Sequence, residues 1–249
     1  MRILTGDECG LLKESIPELS RPRDDGKLPV DVGISCIDNS VNKMCRSRGI
    51  VDLSFCQHDE NVNGNSGTFG FCALRANGSV EHWEGVAPFQ TREDRICGGS
   101  YKIVNTLEKV FDLKDKKEDF FPGRPISICS ALQYQSTNNT SRSNIVACCS
   151  SMGMVSIIDS NHMDQGVRAH YDAYSKSNNN DKLSYIKGNF ENKDKATAMM
   201  MDHEAKRIVI GGRERAATML DVETGDKIWK VSLLFDACFC HILSQLYTN

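Results

Sequence analysis

The chain lacks the residue spacings on which most metal and nucleophile chemistry is built. Its 249 residues contain no Cys-x-x-Cys, no Gly-x-Ser-x-Gly, no phosphate-loop pattern and no His-Glu-x-x-His. Those absences remove the usual signatures of paired-cysteine zinc sites, serine hydrolases, nucleotide triphosphatases and zinc proteases. No window of about twenty apolar residues occurs, so no helical membrane span is encoded. Strong charge of one sign is also missing. Thirty Lys and Arg against 33 Asp and Glu give a net charge of -3, which excludes a polybasic chain but not a local basic patch. No secretory leader is recognisable, because Met1-Arg-Ile-Leu4 runs straight into a strand pattern. The Asn-x-Ser/Thr triplets at Asn77, Asn138 and Asn139 are therefore expected to be chance. The eleven cysteines are odd in number, and Cys56, Cys72, Cys129, Cys148 and Cys149 lie in apolar runs. They read as reduced thiols packed as small core residues, in a cytosolic or nuclear compartment.

What is present is a repeat. Residues 4–14, 73–83, 149–159 and 210–221 each read as an apolar strand, a short polar turn and a second strand of alternating apolar and polar residues. Gly10, Gly78 and Gly153 occupy one slot of the turn, and Arg215 fills it in the fourth copy. Two copies end in an apolar residue followed by Asp, Ile158-Asp159 and Leu220-Asp221, and the second ends in Trp83-Glu84. The fourth copy extends to a full unit. Its expected strands are 197–202, 207–211, 216–222 and 227–231, and Gly225 supplies the positive φ of the last turn. Four strands in about 35–45 residues is the period of a β-propeller blade. The repeats lie further apart than that, so polar insertions are expected at 15–50, 86–121, 136–144 and 160–196.

Few residues suggest chemistry. Cys238-Phe-Cys240-His241 has ligand types close together but no second pair. His58-Asp59-Glu60 could form an acid–base cluster, although a solvated turn accounts for it. Cys97-Gly-Gly-Ser100 could start a nucleotide loop, but no helix pattern follows. The mixed-sign run from Lys114 to Asp119 reads as a solvated loop. His82 and Trp83 are strand neighbours and point to opposite faces, with Trp83 in the core and His82 a polar residue held within the sheet. Among the first strands of the units, Asp52 is the one acidic residue that a channel-lined propeller enzyme could use. Arg213, Glu214 and Arg215 stand at a hairpin tip between two apolar strands, the kind of position where partners dock.

Two blocks resemble a known family. The opening Met1 to Glu14, and Val209-Ile-Gly-Gly-Arg-Glu-Arg215 with Asp221-Val-Glu-Thr-Gly-Asp-Lys-Ile-Trp-Lys230, are similar to the nucleolar WD-repeat assembly factors of the large ribosomal subunit precursor. The likeness covers residues 1–230. It implies an all-β fold: a WD-repeat β-propeller, here partial, with about four of seven antiparallel four-stranded blades and long loop insertions. It implies a non-enzymatic scaffold without a cofactor, located in the nucleolus or nucleus. Its partners would be precursor rRNA and assembly factors of the large-subunit precursor, with release by an AAA-type ATPase. Arg213, Glu214 and Arg215 are the partner-binding residues expected from the tip. Residues 231–249 depart from the family. They are apolar, Cys-containing and free of Lys and Arg, and are expected to be a gene-model or frame artefact. A WD-repeat adaptor of a ubiquitin ligase or chromatin complex is the alternative scaffold, and a propeller enzyme the alternative of another class.

Overall fold

The computed structural model describes residues 3–17, 32–36, 49–56, 68–86, 100–111, 123–133, 143–174, 195–212 and 216–232. They form fifteen strands and one short 3-10 helix. The strands are β1 (Ile3–Gly6), β2 (Leu12–Pro17), β3 (Val32–Cys36), β4 (Ile50–Cys56), β5 (Thr68–Arg75), β6 (Val80–Val86), β7 (Ser100–Leu107) and β8 (Pro125–Gln133). After them come β9 (Ser143–Ser150), β10 (Met154–Asp159), the helix Ser160–Gln165, β11 (Ala169–Asp172), β12 (Ala198–Met201), β13 (Arg207–Gly211), β14 (Ala216–Asp221) and β15 (Lys227–Ser232). All pairings are antiparallel between sequence neighbours. They give a three-stranded sheet β1-β2-β3 and three four-stranded sheets, β4 to β7, β8 to β11 and β12 to β15. The all-β expectation holds among the described residues.

The sheets fall into two compact units, Met1–Lys109 and Val110–Asn249. In the first unit Leu12, Phe71, Ala73 and Trp83 form the core, with Leu4, Ile50, Leu53 and Tyr101 packed against them. The Phe71 and Trp83 rings stack with centroids 6.0 Å apart, and Tyr101 meets Phe71 edge-on at 5.9 Å. Each such large side chain contributes about 1.5–3 kcal/mol by leaving water. In the second unit Ile145, Ala147, Cys149, Val155 and Ile157 of the third sheet face Met201, Ile208, Ile210 and Leu220 of the fourth. Tyr171 ties these two sheets together. Its hydroxyl is shared between the carbonyls of Val222 and Glu223, at 2.9 and 3.0 Å, and its ring fills the space above Gly225. Tyr171→Phe should cost about 1 kcal/mol in urea unfolding, because the ring stays and only the hydrogen bond goes.

The repeated glycines have one physical reason. Gly10, Gly78 and Gly153 take φ of 89, 83 and 82°, where a side chain is disfavoured. Each donates its N–H to the carbonyl three residues back, on Asp7, Arg75 and Ser150, at 3.0, 2.9 and 2.9 Å. The three hairpins are thus one turn used three times. It joins β1 to β2, β5 to β6 and β9 to β10, so β1 corresponds to β5 and β9. The first sheet therefore has no described counterpart of β4, β8 or β12.

The insertions need correction. The stretches 15–50, 86–121 and 160–196 contain β3, β7 and β11, the last strand of each sheet, and the fourth stretch also contains the 3-10 helix. These are edge strands with only one pairing side, and β7 leaves Lys102, Ile103, Val104 and Thr106 exposed. A strand so little covered lacks the continuous apolar run that marks β9 or β13. In the fourth sheet, the expected strands agree with the observed ones to within two residues at each end.

The cysteines behave as small core residues. Cys56, Cys72, Cys148 and Cys149 are buried, Cys9 and Cys129 half-buried, and all six are free thiols. Burial pushes the Cys149 thiol up to about 12. Only about one in 10⁴ Cys149 thiols is ionised at pH 8. Iodoacetamide at pH 8 should therefore alkylate Cys9 in the folded chain and leave Cys149 unmodified until denaturant is added, as read by peptide mass mapping.

Candidate functional site

Arg213, Glu214 and Arg215 lie outside the described residues, but the roots of their hairpin do not. β13 and β14 stay in register to the end, with Gly211 opposite Ala217. The Gly211 carbonyl accepts the Thr197 N–H at 2.9 Å. The Lys195 and Ala196 N–H groups both donate to the Ser151 carbonyl, at 2.7 and 3.0 Å. The root of the Arg213–Arg215 hairpin is thus joined to the Ser150–Gly153 turn of the third sheet. Gly212 lies directly against the Lys195–Ala196 backbone. A Cβ there would overlap the Lys195 carbonyl oxygen and stand 2.7 Å from the Ala196 Cα. The second glycine of Gly211-Gly212-Arg213-Glu214 is a close-approach residue.

Charge around this end of the second unit is mainly basic among the described residues. Arg124 is exposed; its carbonyl accepts the Ser151 N–H at 2.8 Å, and its own N–H donates to Ser151 Oγ at 3.2 Å. Lys195 is half-buried, and its carbonyl accepts the Tyr174 hydroxyl at 3.4 Å. Lys230 Nζ stands 6.0 Å from the centre of the Tyr174 ring, a weak cation–π contact. At the other end of β15, burial holds Lys227 below the usual lysine range; Asp172 opposes this and Lys230 adds to it. The turns at the opposite ends of the same strands carry Asp159, Asp202, Asp221, Glu223 and Asp226, alongside Lys206 and Arg207. Several of those carboxylates serve the backbone. Asp221 Oδ1, for example, accepts from the N–H groups of Glu223 and Thr224, both at 2.9 Å.

The remaining candidates resolve as follows. Trp83 is in the core and His82 is buried on the other face of β6, as their alternation predicts. The Asp52 carboxylate accepts the Leu53 N–H at 2.9 Å, a local backbone contact. His58, Asp59, Glu60, Cys97, Cys238, Cys240 and His241, and the run from Lys114 to Asp119, lie outside the described residues.

The most elaborate polar cluster was not expected. Arg75 Nε and Nη2 donate to the two Glu81 carboxylate oxygens at 2.7 and 2.6 Å. Arg75 Nη1 donates to the Gly10 carbonyl at 3.2 Å, and Trp83 Nε1 donates to Glu81 Oε2 at 3.1 Å. Both charged side chains are buried, with Arg75 fully covered. This fork ties the turn of the first sheet to the second. The sequence does hold a trace of it: Glu81 and Trp83 alternate onto one face, and Arg75 sits six residues back across a turn marked by Asn77-Gly78.

No protein-family model matches the sequence, and no curated protein matches it significantly.

Proposed function

We propose that this chain is a segment of a WD-repeat β-propeller that acts as a non-enzymatic scaffold in assembly of the large ribosomal subunit. It docks on precursor rRNA and neighbouring assembly factors in the nucleolus, and an AAA-type ATPase removes it before the particle matures. The observation that carries this reading is the order of the motifs: the Gly10 hairpin at the start and the Gly-Gly-Arg-Glu hairpin before Trp229. Successive antiparallel sheets of sequence neighbours, three of them four-stranded and the first three turned by the same hairpin, are compatible with blades. Docking falls to loop tips such as Arg213, Glu214 and Arg215, where arginine can fork onto phosphate or carboxylate.

The test is sedimentation. The tagged chain should travel with large-subunit precursor particles on a sucrose gradient and concentrate in the nucleolus. Its depletion should lower large subunits before small ones. Undisturbed subunit ratios, or co-purification with a ubiquitin-ligase or chromatin complex instead, would remove the ribosomal reading. Reversing both Arg213 and Arg215 to Glu should weaken particle association about tenfold, or about 1.4 kcal/mol. Chemical stability should stay within about 0.5 kcal/mol, since tip charges contribute little to folding.

A further inference from the structure

One face of the second sheet brings two thiols and an imidazole together. Cys56 ends β4, Cys72 lies within β5, and their sulfurs are 3.5 Å apart. The register places Ser54 opposite Cys72 and Gly70 opposite Cys56, so the cysteines are diagonal neighbours. Gly70 has no side chain, which leaves the Cys56 sulfur room to lean towards Cys72. The next pairing sets His82 of β6 directly across from Cys72. The Cβ atoms of such a pair are about 5 Å apart. The three side chains therefore share one face, while Phe71, Ala73 and Trp83 occupy the other. All three are buried. Yet β4 is an edge strand, Val51 and Phe55 on it are exposed, and Cys56 is its last residue. The ends of edge strands open locally at much lower cost than a core strand.

We propose that Cys56 and Cys72 form a peroxide-sensitive dithiol, a modification site with His82 as its proton acceptor. When the end of β4 opens, a hydroperoxide reaches Cys72. The imidazole takes the Cys72 thiol proton, and the sulfur attacks the peroxide oxygen. The O–O bond breaks, the departing alkoxide or hydroxide recovers the proton, and Cys72 becomes a sulfenic acid. The Cys56 sulfur then attacks the Cys72 sulfur, its proton passing through His82 to the leaving hydroxide. Two thiols and one peroxide give one disulfide, one water and one alcohol or second water; the sulfurs lose two electrons and the peroxide gains them. The product fastens the edge strand β4 to β5.

The experiment treats the full chain with hydrogen peroxide, quenches with iodoacetamide and maps the peptides by mass spectrometry. A Cys56–Cys72 linked pair is expected, formed while Cys149 is still reduced. Tm should rise by about 10 °C and return on adding dithiothreitol. In Cys56→Ser the reaction should stop at a sulfenic acid on Cys72 that dimedone traps. In His82→Gln oxidation of Cys72 should slow at least about tenfold with an unchanged circular dichroism spectrum. Oxidation of Cys72 no faster than that of Cys149, pairing of either cysteine with a third, or an unaltered rate in His82→Gln would each overturn the proposal. If His82→Gln does not fold, the relative rates of Cys72 and Cys149 in the unaltered chain decide.

Discussion

Arg75→Ala is expected to destabilise the Met1–Lys109 unit by about 3–5 kcal/mol, enough to unfold it at room temperature if its stability is near the low end for domains. The reason is asymmetry. Removing the guanidinium strips the buried Glu81 carboxylate of its counter-charge and of two charged donors, leaving the Trp83 indole N–H bond, and it takes away the bond from Arg75 to the Gly10 carbonyl. A buried carboxylate stripped of its counter-charge either protonates or draws water in, and both disrupt the Phe71–Trp83 stack. Arg75→Met combined with Glu81→Leu should recover most of the loss, because the cost lies in the uncompensated charge rather than in the absence of the pair. Trp83 reports directly: its emission should shift to the red in Arg75→Ala and much less in the double variant. A single substitution costing less than about 1 kcal/mol would show that the fork is solvated in solution.

Gly212→Ala is expected to have the second large effect, at least about 2 kcal/mol on the Val110–Asn249 unit. The added methyl meets the Lys195 carbonyl oxygen and the Ala196 Cα, which are backbone atoms and cannot rotate aside. To make room, the Lys195–Ala196 segment must leave the Ser151 carbonyl, so two hydrogen bonds between the third and fourth sheets are strained together. Gly166→Ala provides the comparison. It has φ +83° and ψ -153°, a region essentially reserved for glycine, but nothing within 4 Å of the added carbon, so its cost of about 1–3 kcal/mol is torsional alone. Urea midpoints of the two variants, read by circular dichroism, separate steric from torsional cost. A Gly212→Ala midpoint equal to that of the unaltered chain would mean that the approach at Gly212 relaxes freely.

What could be read in the sequence follows from where each signal is local. Gly10, Gly78 and Gly153 stood out because a turn with positive φ admits few residues, and strands such as β9 and β13 stood out as apolar runs because both of their faces are covered. The fourth sheet was legible nearly strand by strand for the same reason, helped by Gly225 at φ 74°. β3, β7 and β11 were hidden inside apparent insertions: β7 exposes Lys102 to Val104, while β3 (Val32, Ile34, Cys36) and β11 (Ala169, Tyr171) alternate over only four or five residues in polar surroundings. The Arg75–Glu81 fork was hidden differently. Charged residues in sequence read as surface, and only the pairing of β5 with β6 under the Gly10 turn puts these two inside. Of the proposed docking tip, the sequence points to Arg213, Glu214 and Arg215 by composition, and they lie outside the described residues. The backbone that positions their hairpin, Lys195 to Ala196 against Gly212, is a long-range contact that no local pattern announces.

The shared hairpin also constrains the order in which its copies could diverge. In the first copy Asp7 Oδ1 accepts the N–H four residues on, that of Leu11, at 2.9 Å; in the third, Ser150 Oγ accepts that of Met154 at 3.2 Å. The same slot in the second copy holds Arg75, which has no acceptor to offer. There the N–H four residues on, that of Ser79, turns instead to Asn77 Oδ1 at 3.0 Å. An arginine could enter this slot at low cost only once an acceptor stood at position 77, and Glu81 is worth burying only once the arginine is there. Asn77, Arg75 and Glu81 are thus linked: Asn77 supplies the acceptor that Arg75 cannot, and Arg75 supplies the charge that lets Glu81 be buried. Asn77→Ala should therefore cost about 1 kcal/mol in urea unfolding, because it removes the acceptor that the Ser79 N–H uses and Arg75 cannot replace it.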